Sequence, residues 1–270
     1  MLTFIKFGGS VITDKRGHEA ADIPQITTLA RDLAAARQAH PNHQILLGHG
    51  SGSFGHVYAA RYNIHRGLTD NADWMGFART AAAALRLNRI VVDELLANGI
   101  PALALQPSTT ISSAAGQLTT WYTDTIALAL QRSLVPVVHG DVAFDTKQGS
   151  AIISTEKLFA YLALQTNLRP NRIILVGETA VYTDDPHTNP HAQRIPLITQ
   201  ANITTVLGAA HGSHGVDVTG GMRSKIELMW NLVEAITGLE IYLIGTRPGL
   251  LAATLIGSSN DDEGTCIRKV

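Results

Sequence analysis

The segment Gly48-His49-Gly50-Ser51-Gly52-Ser53-Phe54-Gly55-His56 follows the apolar run Ile45-Leu46-Leu47, so a buried strand empties into a loop of glycine and serine. That composition suits phosphate. Glycines let backbone N–H groups approach anionic oxygens, a helix N-terminus beyond adds the positive end of its dipole, and His56 supplies a donor just after the loop. A second cluster, Lys6-Phe7-Gly8-Gly9-Ser10, puts an ammonium and free amides at one strand end. Such a pocket fits the bridging and transferring oxygens of a triphosphate. Lys15, in Thr13-Asp14-Lys15, can reach the same point from the far side of the turn. Taken alone, this cluster reads equally well as a solvated lysine before a tight turn. The third, Asp217-Val218-Thr219-Gly220-Gly221-Met222-Arg223-Ser224-Lys225, sets two glycines before a helix that carries a lysine in its opening turn. Lysine ordinarily favours the other helix end, where the dipole is negative, so this placement points to an anion held between Lys225 and the free amides. A solvent-facing Lys225, or Arg223 as the partner, stays open at this stage.

Two common phosphate motifs do not apply. Gly50, Gly52 and Gly55 match G-x-G-x-x-G, but a dinucleotide fingerprint needs an acidic residue ending a second strand about 20 residues on. No convincing strand follows within the next stretch, and Asp70 and Asp73 sit on a loop or helix start. No lysine follows the glycines, so the Walker A pattern is absent too.

The elements that must position these loops follow from hydrophobic patterning. Strands are predicted over Leu2 to Phe7, Gln44 to Gly48, Ala102 to Leu105, Val135 to His139, Arg172 to Val176 and Glu240 to Ile244, rich in Val, Ile and Leu as buried parallel strands are. Helical patterns lie between them, over Ile23 to His40, Ala72 to Asn98, Thr123 to Arg132, Glu156 to Leu168 and Lys225 to Thr237. Hairpins are predicted around Gly116 and around Lys147-Gln148-Gly149. This alternation is an α/β pattern. Asn167-Leu168-Arg169-Pro170-Asn171 breaks a helix, which allows a boundary between residues 1–168 and 169–270, although one continuous sheet could run through it.

The chain has 270 residues, 45% of them apolar, with 21 basic residues against 22 acidic. Balanced charge offers no broad basic face, so we expect neither nucleic acid nor a membrane surface as partner and look to small anions instead. Cys266 is the sole cysteine, which excludes an intrachain disulfide and a cysteine-rich metal site and leads us to expect a cytoplasmic protein. Met1 to Phe7 read as a strand interrupted by Lys6 and not as a signal peptide, and no apolar run is long enough to span a bilayer.

The three clusters in this order, with the Gly140-Asp141 pair, resemble the amino acid kinase superfamily, and within it the isopentenyl phosphate kinase family, over nearly the whole chain. The Ser53-Phe54-Gly55-His56 ending is the sharpest discriminator, being typical of isopentenyl phosphate kinases and the related fosfomycin kinases. Thr13-Asp14-Lys15 looks like the isoprenoid enzyme. The resemblance implies an αβα sandwich with a largely parallel open central sheet. It also implies transfer of the γ-phosphoryl group of ATP, with Mg²⁺, to isopentenyl phosphate in a homodimer. A fosfomycin kinase, another small-acceptor kinase and a non-catalytic binding module are the alternatives. By carry-over, Lys6, Lys15 and His56 form the catalytic set. Gly8, Gly9, Ser10 and Gly52 join Lys6 on the ATP side, while Gly50, Ser51, Gly55, His56 and Thr155 hold the acceptor phosphate. Residues 1–168 become the acceptor lobe, and 169–270 the nucleotide lobe with Tyr182, Asp185, Gly221 and Lys225. No paired carboxylates are evident, so Mg²⁺ is expected to arrive with ATP, held by phosphates and water and not by a protein metal site.

The acceptor also needs an apolar slot. The helix 72–98 presents a stripe after the phosphate loop from which Phe77 and Ala81 are expected to touch a five-carbon tail, although such a stripe is also ordinary core. Two departures stand out. The family usually carries Gly-Asp where Thr155-Glu156 occurs, and its Thr-Asp-Val-Asp-Gly-Val-Tyr type segment is replaced by Val176-Gly177-Glu178-Thr179-Ala180-Val181-Tyr182. Asp141 could orient a lysine or serve a structural turn.

Overall fold

The computed structural model describes residues 1–14, 17–68, 74–177, 180–186, 188–209, 221–258 and 263–269. Its strands are β1 (Leu2–Phe7), β2 (Gln44–His49), β3 (Ala102–Ala104), β4 (Ile111–Ala114), β5 (Gln117–Trp121), β6 (Val135–His139), β7 (Asp141–Asp145), β8 (Gly149–Ile153), β9 (Arg172–Val176), β10 (Leu197–Ile198), β11 (Glu240–Ile244) and β12 (Thr265–Arg268). The helices are α1 (Gly9–Ile12), α2 (Ile23–Ala39), α3 (Gly52–Arg61), α4 (Met75–Ala97), α5 (Asp124–Gln131), α6 (Thr155–Gln165), α7 (Ile203–Ala209), α8 (Gly221–Ala235) and α9 (Leu250–Ile256). The predicted strands recur within one residue at their ends. The segment read as a loop through His56 is helical from Gly52 onward, because the glycine loop enters α3 directly.

An eight-stranded sheet runs in the order β10-β12-β11-β9-β1-β2-β6-β3, and every pair from β11 to β3 is parallel. It is continuous through residue 168, since β9 pairs directly with β1. Period-2 alternation then sorts side chains onto two covered faces. Leu2 and Phe4 of β1 join a core with Phe159 of α6 and Met229 of α8, the Phe4 and Phe159 rings lying 5.2 Å apart. Ile5 and Phe7 face the other way, into a core with Leu33 of α2, Leu87 of α4 and Leu251 of α9. The strand ends inherit this sorting: Lys6 follows Phe4 toward α6, and His49 and His139 follow Leu47 and Val137 toward α4. No helix of the described residues is long and apolar enough to cross a membrane.

A second sheet, β5-β4-β7-β8, holds both predicted hairpins. Its corner is Asp145, whose carboxylate accepts from the amides of Ala115 (2.9 Å), Gly116 (2.8 Å), Lys147 (2.9 Å) and Gln148 (3.1 Å) and from the Ser113 hydroxyl (2.9 Å). Ala115 and Gly116 both adopt positive φ, the conformation a two-residue hairpin turn needs. Desolvation works against the Asp145 charge, but these donors outweigh it and hold the carboxyl at about 2. A depressed folded value stabilises the protein above the ordinary carboxylate range and loses that contribution as pH falls toward about 2. Asp145→Asn is therefore expected to cost about 2 kcal/mol at neutral pH in urea unfolding, with the gap to the parent closing as the solution is acidified.

Candidate active site

Strands β1 and β2 are hydrogen-bonded neighbours, so the loops that leave their carboxyl ends emerge side by side. Those loops touch backbone to backbone. A Cβ on Gly9 would lie 2.5 Å from the Gly52 nitrogen, and one on Gly50 would lie 2.7 Å from the Gly9 nitrogen. Gly52 itself has φ +46°, which favours glycine. Thr13 clips the loops together, its hydroxyl donating to the Gly9 carbonyl at 2.7 Å and accepting from the Ser53 amide at 3.0 Å. The Gly50 amide donates back to Phe7, and the Gly140 amide donates to His49, both at 3.0 Å. The result is a close-packed, glycine-lined cradle at the ends of three adjacent strands, where open α/β sheets collect their ligands.

Charge enters from the opposite face. Lys6 forms an ion pair with Glu156 at the start of α6, a helix capped by Ser154, whose hydroxyl accepts from Lys157 N. Glu156 is buried, and desolvation alone would raise its pKa. The ammonium of Lys6, then that of Lys225, reverses the sign and holds the carboxyl below its ordinary range. Lys6 and Lys225 thus converge on one buried acid.

A cavity of about 850 Å³ opens between cradle and charges. Lys6, Gly8, Gly9 and Ser10 line it from β1 and its loop, and Gly50, Ser51, Gly52, Gly55 and His56 from the second loop. Thr155, Tyr182, Asp185 and Lys225 complete the expected set on the remaining side. Lys15 lies outside the described residues, as does the 217–220 part of the third cluster. Gly221 starts α8 with positive φ, but Met222 and Lys225 line the cavity in its place.

Phe77 and Ala81 do not line it either. Phe77 is buried in a separate cluster with Ile64, Leu68 and Val142, and Ala81 packs against that cluster. The α4 positions that reach the cavity are Thr80 and Ala84. Three residues along a helix turn the facing side by about 60°, so a stripe read from hydrophobicity alone has its phase off by that step. Val142 belongs to both groups, touching the Phe77 cluster and lining the cavity.

Glu156 is the site residue that sequence reasoning left outside the set. Its signal was an acid at the carboxyl end of the apolar strand Ala151-Ile152-Ile153. Asp141, the other acid there, accepts from the amides of Ser108 (3.0 Å) and Val142 (2.8 Å), and burial pushes its carboxyl up. Its bonds are those of a turn, and the lysine partner is Glu156. Among the described residues no group of His, Cys, Asp or Glu is placed to hold a metal ion.

The profile of the Amino acid kinase family matches residues 1–244. The chain belongs to the amino acid kinase family. Among its relatives, the isopentenyl phosphate kinase of Methanothermobacter thermautotrophicus is 34% identical over 265 residues, covering 95% of this kinase and 96% of the relative. That of Haloferax volcanii is 32% identical and covers 92% and 97%. In X-ray structures of isopentenyl phosphate kinase, the fold superposes with a TM-score of 0.82 at 32% identity, covering 99% of this kinase and 100% of that chain. Carbamate kinase from Giardia lamblia, at 13% identity and a TM-score of 0.70, shares the fold.

The departure at 155–156 has a physical account, while Glu178 and Thr179 of the other lie outside the described residues. Thr155 lines the cavity while its hydroxyl donates to the His49 carbonyl at 2.7 Å and its methyl group sits over Gly48, where a Cβ would come within 2.4 Å of it. Glu156 supplies the acid for Lys6. Gly9→Ala is expected to push the two loops apart and lower kcat/KM by about 10²-fold, read from steady-state phosphoryl transfer, because displacements of this size misalign reacting groups. Glu156→Gln is expected to flatten the acid limb of a stability-against-pH curve. The parent loses the Glu156 contribution as pH falls below the ordinary carboxylate range, and the amide has none to lose.

Proposed function

We propose that this kinase transfers the γ-phosphoryl group of ATP to isopentenyl phosphate, giving isopentenyl diphosphate and ADP. The bond from the γ-phosphorus to the bridging oxygen of ADP breaks, and one forms to an oxygen of the acceptor monophosphate. The observation that carries this reading is the meeting of His56, the 50–55 glycine-lined cradle, Lys6 and Lys225 in one cavity. A phosphate monoester oxygen is already a competent nucleophile, so the chemistry asks for alignment and charge neutralisation more than for a base. The amides and cations present provide both.

In this reading Gly50, Ser51, Gly55 and His56 hold the acceptor, and Gly8, Gly9, Ser10, Lys6 and Lys225 hold the ATP phosphates. Tyr182 and Asp185 lie on the nucleotide side. Residues 1–168 supply the acceptor half and 169–270 most of the nucleotide half, with Lys15 acting on the moving group. The five-carbon tail would rest against Ala59, Ala60, Thr80, Ala84 and Val142, small or apolar groups that leave room for a short chain. Two of the carboxylates that line the cavity are committed, Glu156 to Lys6 and Asp141 to amides. The donor set accordingly suits phosphate oxygens, and Mg²⁺ would be carried in by ATP, where it would neutralise phosphate charge. We further infer a cytoplasmic homodimer, from the family resemblance and from the lone Cys266.

ADP release measured side by side with isopentenyl phosphate, dimethylallyl phosphate and fosfomycin tests the acceptor. Saturation with isopentenyl phosphate is expected, and saturation only with fosfomycin would overturn the reading. His56→Ala is expected to lower kcat by about 10² to 10³-fold if its imidazole stabilises the reacting phosphate, and a near-parental rate would remove it from that role.

A further inference from the structure

Beneath the phosphate cradle lies a buried polar group that the phosphoryl-transfer reading does not use. His49 and His139 end the neighbouring strands β2 and β6, paired in register, and both are fully buried. Their rings stack with centroids 5.5 Å apart. Each ring reaches the carbonyl of the next residue: His49 Nδ1 is 2.9 Å from the Gly50 oxygen and His139 Nδ1 is 3.2 Å from the Gly140 oxygen. A carbonyl only accepts, so each Nδ1 carries the hydrogen and each neutral ring leaves Nε2 as an acceptor. Asn88 Nδ2 donates to that lone pair on His49 at 3.0 Å.

Asn88 is fully buried on α4, one helical turn below Ala84 and two below Thr80, both of which line the cavity. The three side chains therefore stand under the cavity floor. Two acceptors meet no protein donor among the described residues, Asn88 Oδ1 and His139 Nε2. The two rings lie 25° from parallel and make the same internal bond, and Asn88 meets the Nε2 end of His49. Two buried acceptors left unpaired would each carry the full desolvation penalty of a polar atom taken from water. One water molecule has two hydrogens to give, and a polar, enclosed site of this kind is where proteins keep one.

We propose that His49, His139 and Asn88, with one enclosed water molecule donating to Asn88 Oδ1 and His139 Nε2, are positioning residues that aim the Ser51 amide at the acceptor phosphate. In a trans peptide the C=O and N–H of one plane point in opposite directions. Holding the Gly50 carbonyl down onto His49 turns the Ser51 N–H up, away from the imidazole and toward the cavity that Gly50 and Ser51 line. Asn88 keeps the ring in the tautomer that can hold that carbonyl. Burial favours the same state, pushing His49 down to about 3 and His139 below its ordinary range.

This inference rests on the proposed acceptor site, and its first test does not involve turnover. Nitrogen-15 NMR of histidine-labelled parent protein at neutral pH is expected to show both buried imidazoles neutral with hydrogen on Nδ1. Hydrogen on Nε2 of either ring would overturn the proposal. A high-resolution crystal structure is expected to show one water within hydrogen-bond reach of both orphaned acceptors, and a dry site would remove the water from it. In the kinetic test, Asn88→Leu is expected to raise KM for isopentenyl phosphate about tenfold with KM for ATP unchanged, since only the Ser51 amide loses its aim. Asn88→Asp is expected to restore most of that KM while the His49 Nε2 resonance changes to the protonated form, because a carboxylate can only accept. Equal KM values for parent and Asn88→Leu, or a loss shared equally by both substrates, would assign Asn88 to packing alone. A parent enzyme inactive toward isopentenyl phosphate would refute the proposed acceptor and leave the tautomer measurement standing.

Discussion

The site depends on two stretches of main chain touching with nothing between them. Parallel strands in one sheet lie about 4.8 Å apart, so loops leaving the same ends of β1 and β2 are pressed together unless side chains spread them. Glycine at 9, 50 and 52 removes the side chains at the points of contact. The amides are then close enough to serve a common anion, and Thr13 holds them there through a carbonyl on one loop and an amide on the other. Gly48 extends the same logic into the sheet, where its bare backbone accepts Thr155 and Phe159 from α6. The seating of α6 on β2 is what delivers Glu156 to Lys6.

That delivery settles the electrostatics. A cavity built for two anions needs cations, yet cations with no counter-charge repel one another and resist burial. Glu156 answers this by sitting beside both Lys6 and Lys225, with its charge favoured by each. The chain as a whole is close to neutral, with 21 basic and 22 acidic residues, so attraction for phosphate is local and not a property of the surface at large.

The kinship with isopentenyl phosphate kinases explains the frame, and Thr155 and Glu156 show how a site residue is bound to what it packs against. The Thr155 methyl group finds room only because Gly48 beneath has no side chain. The Glu156 carboxylate reaches Lys6 from the start of α6. Substitutions at such positions are bound to their neighbours across the sheet, here separated by more than one hundred residues in the chain.

Much of this was legible in the residues alone. Alternating Val, Ile and Leu runs marked the strands, the glycine and lysine clusters marked the loops, and two short polar stretches around Gly116 and Gly149 marked hairpins, because each is a local pattern with a local cause. Period-2 alternation even decides that Lys6 shares a face with Phe4 and that His49 shares one with Leu47. Strand order and helix rotation are different in kind. Whether the Lys6 face looks at α6, whether α4 turns Thr80 and Ala84 or Phe77 and Ala81 to the cavity, and whether His49 finds His139 and Asn88 depend on which surfaces pack against each other. Those choices are made by burial summed over the whole core, and no window of neighbouring residues contains them.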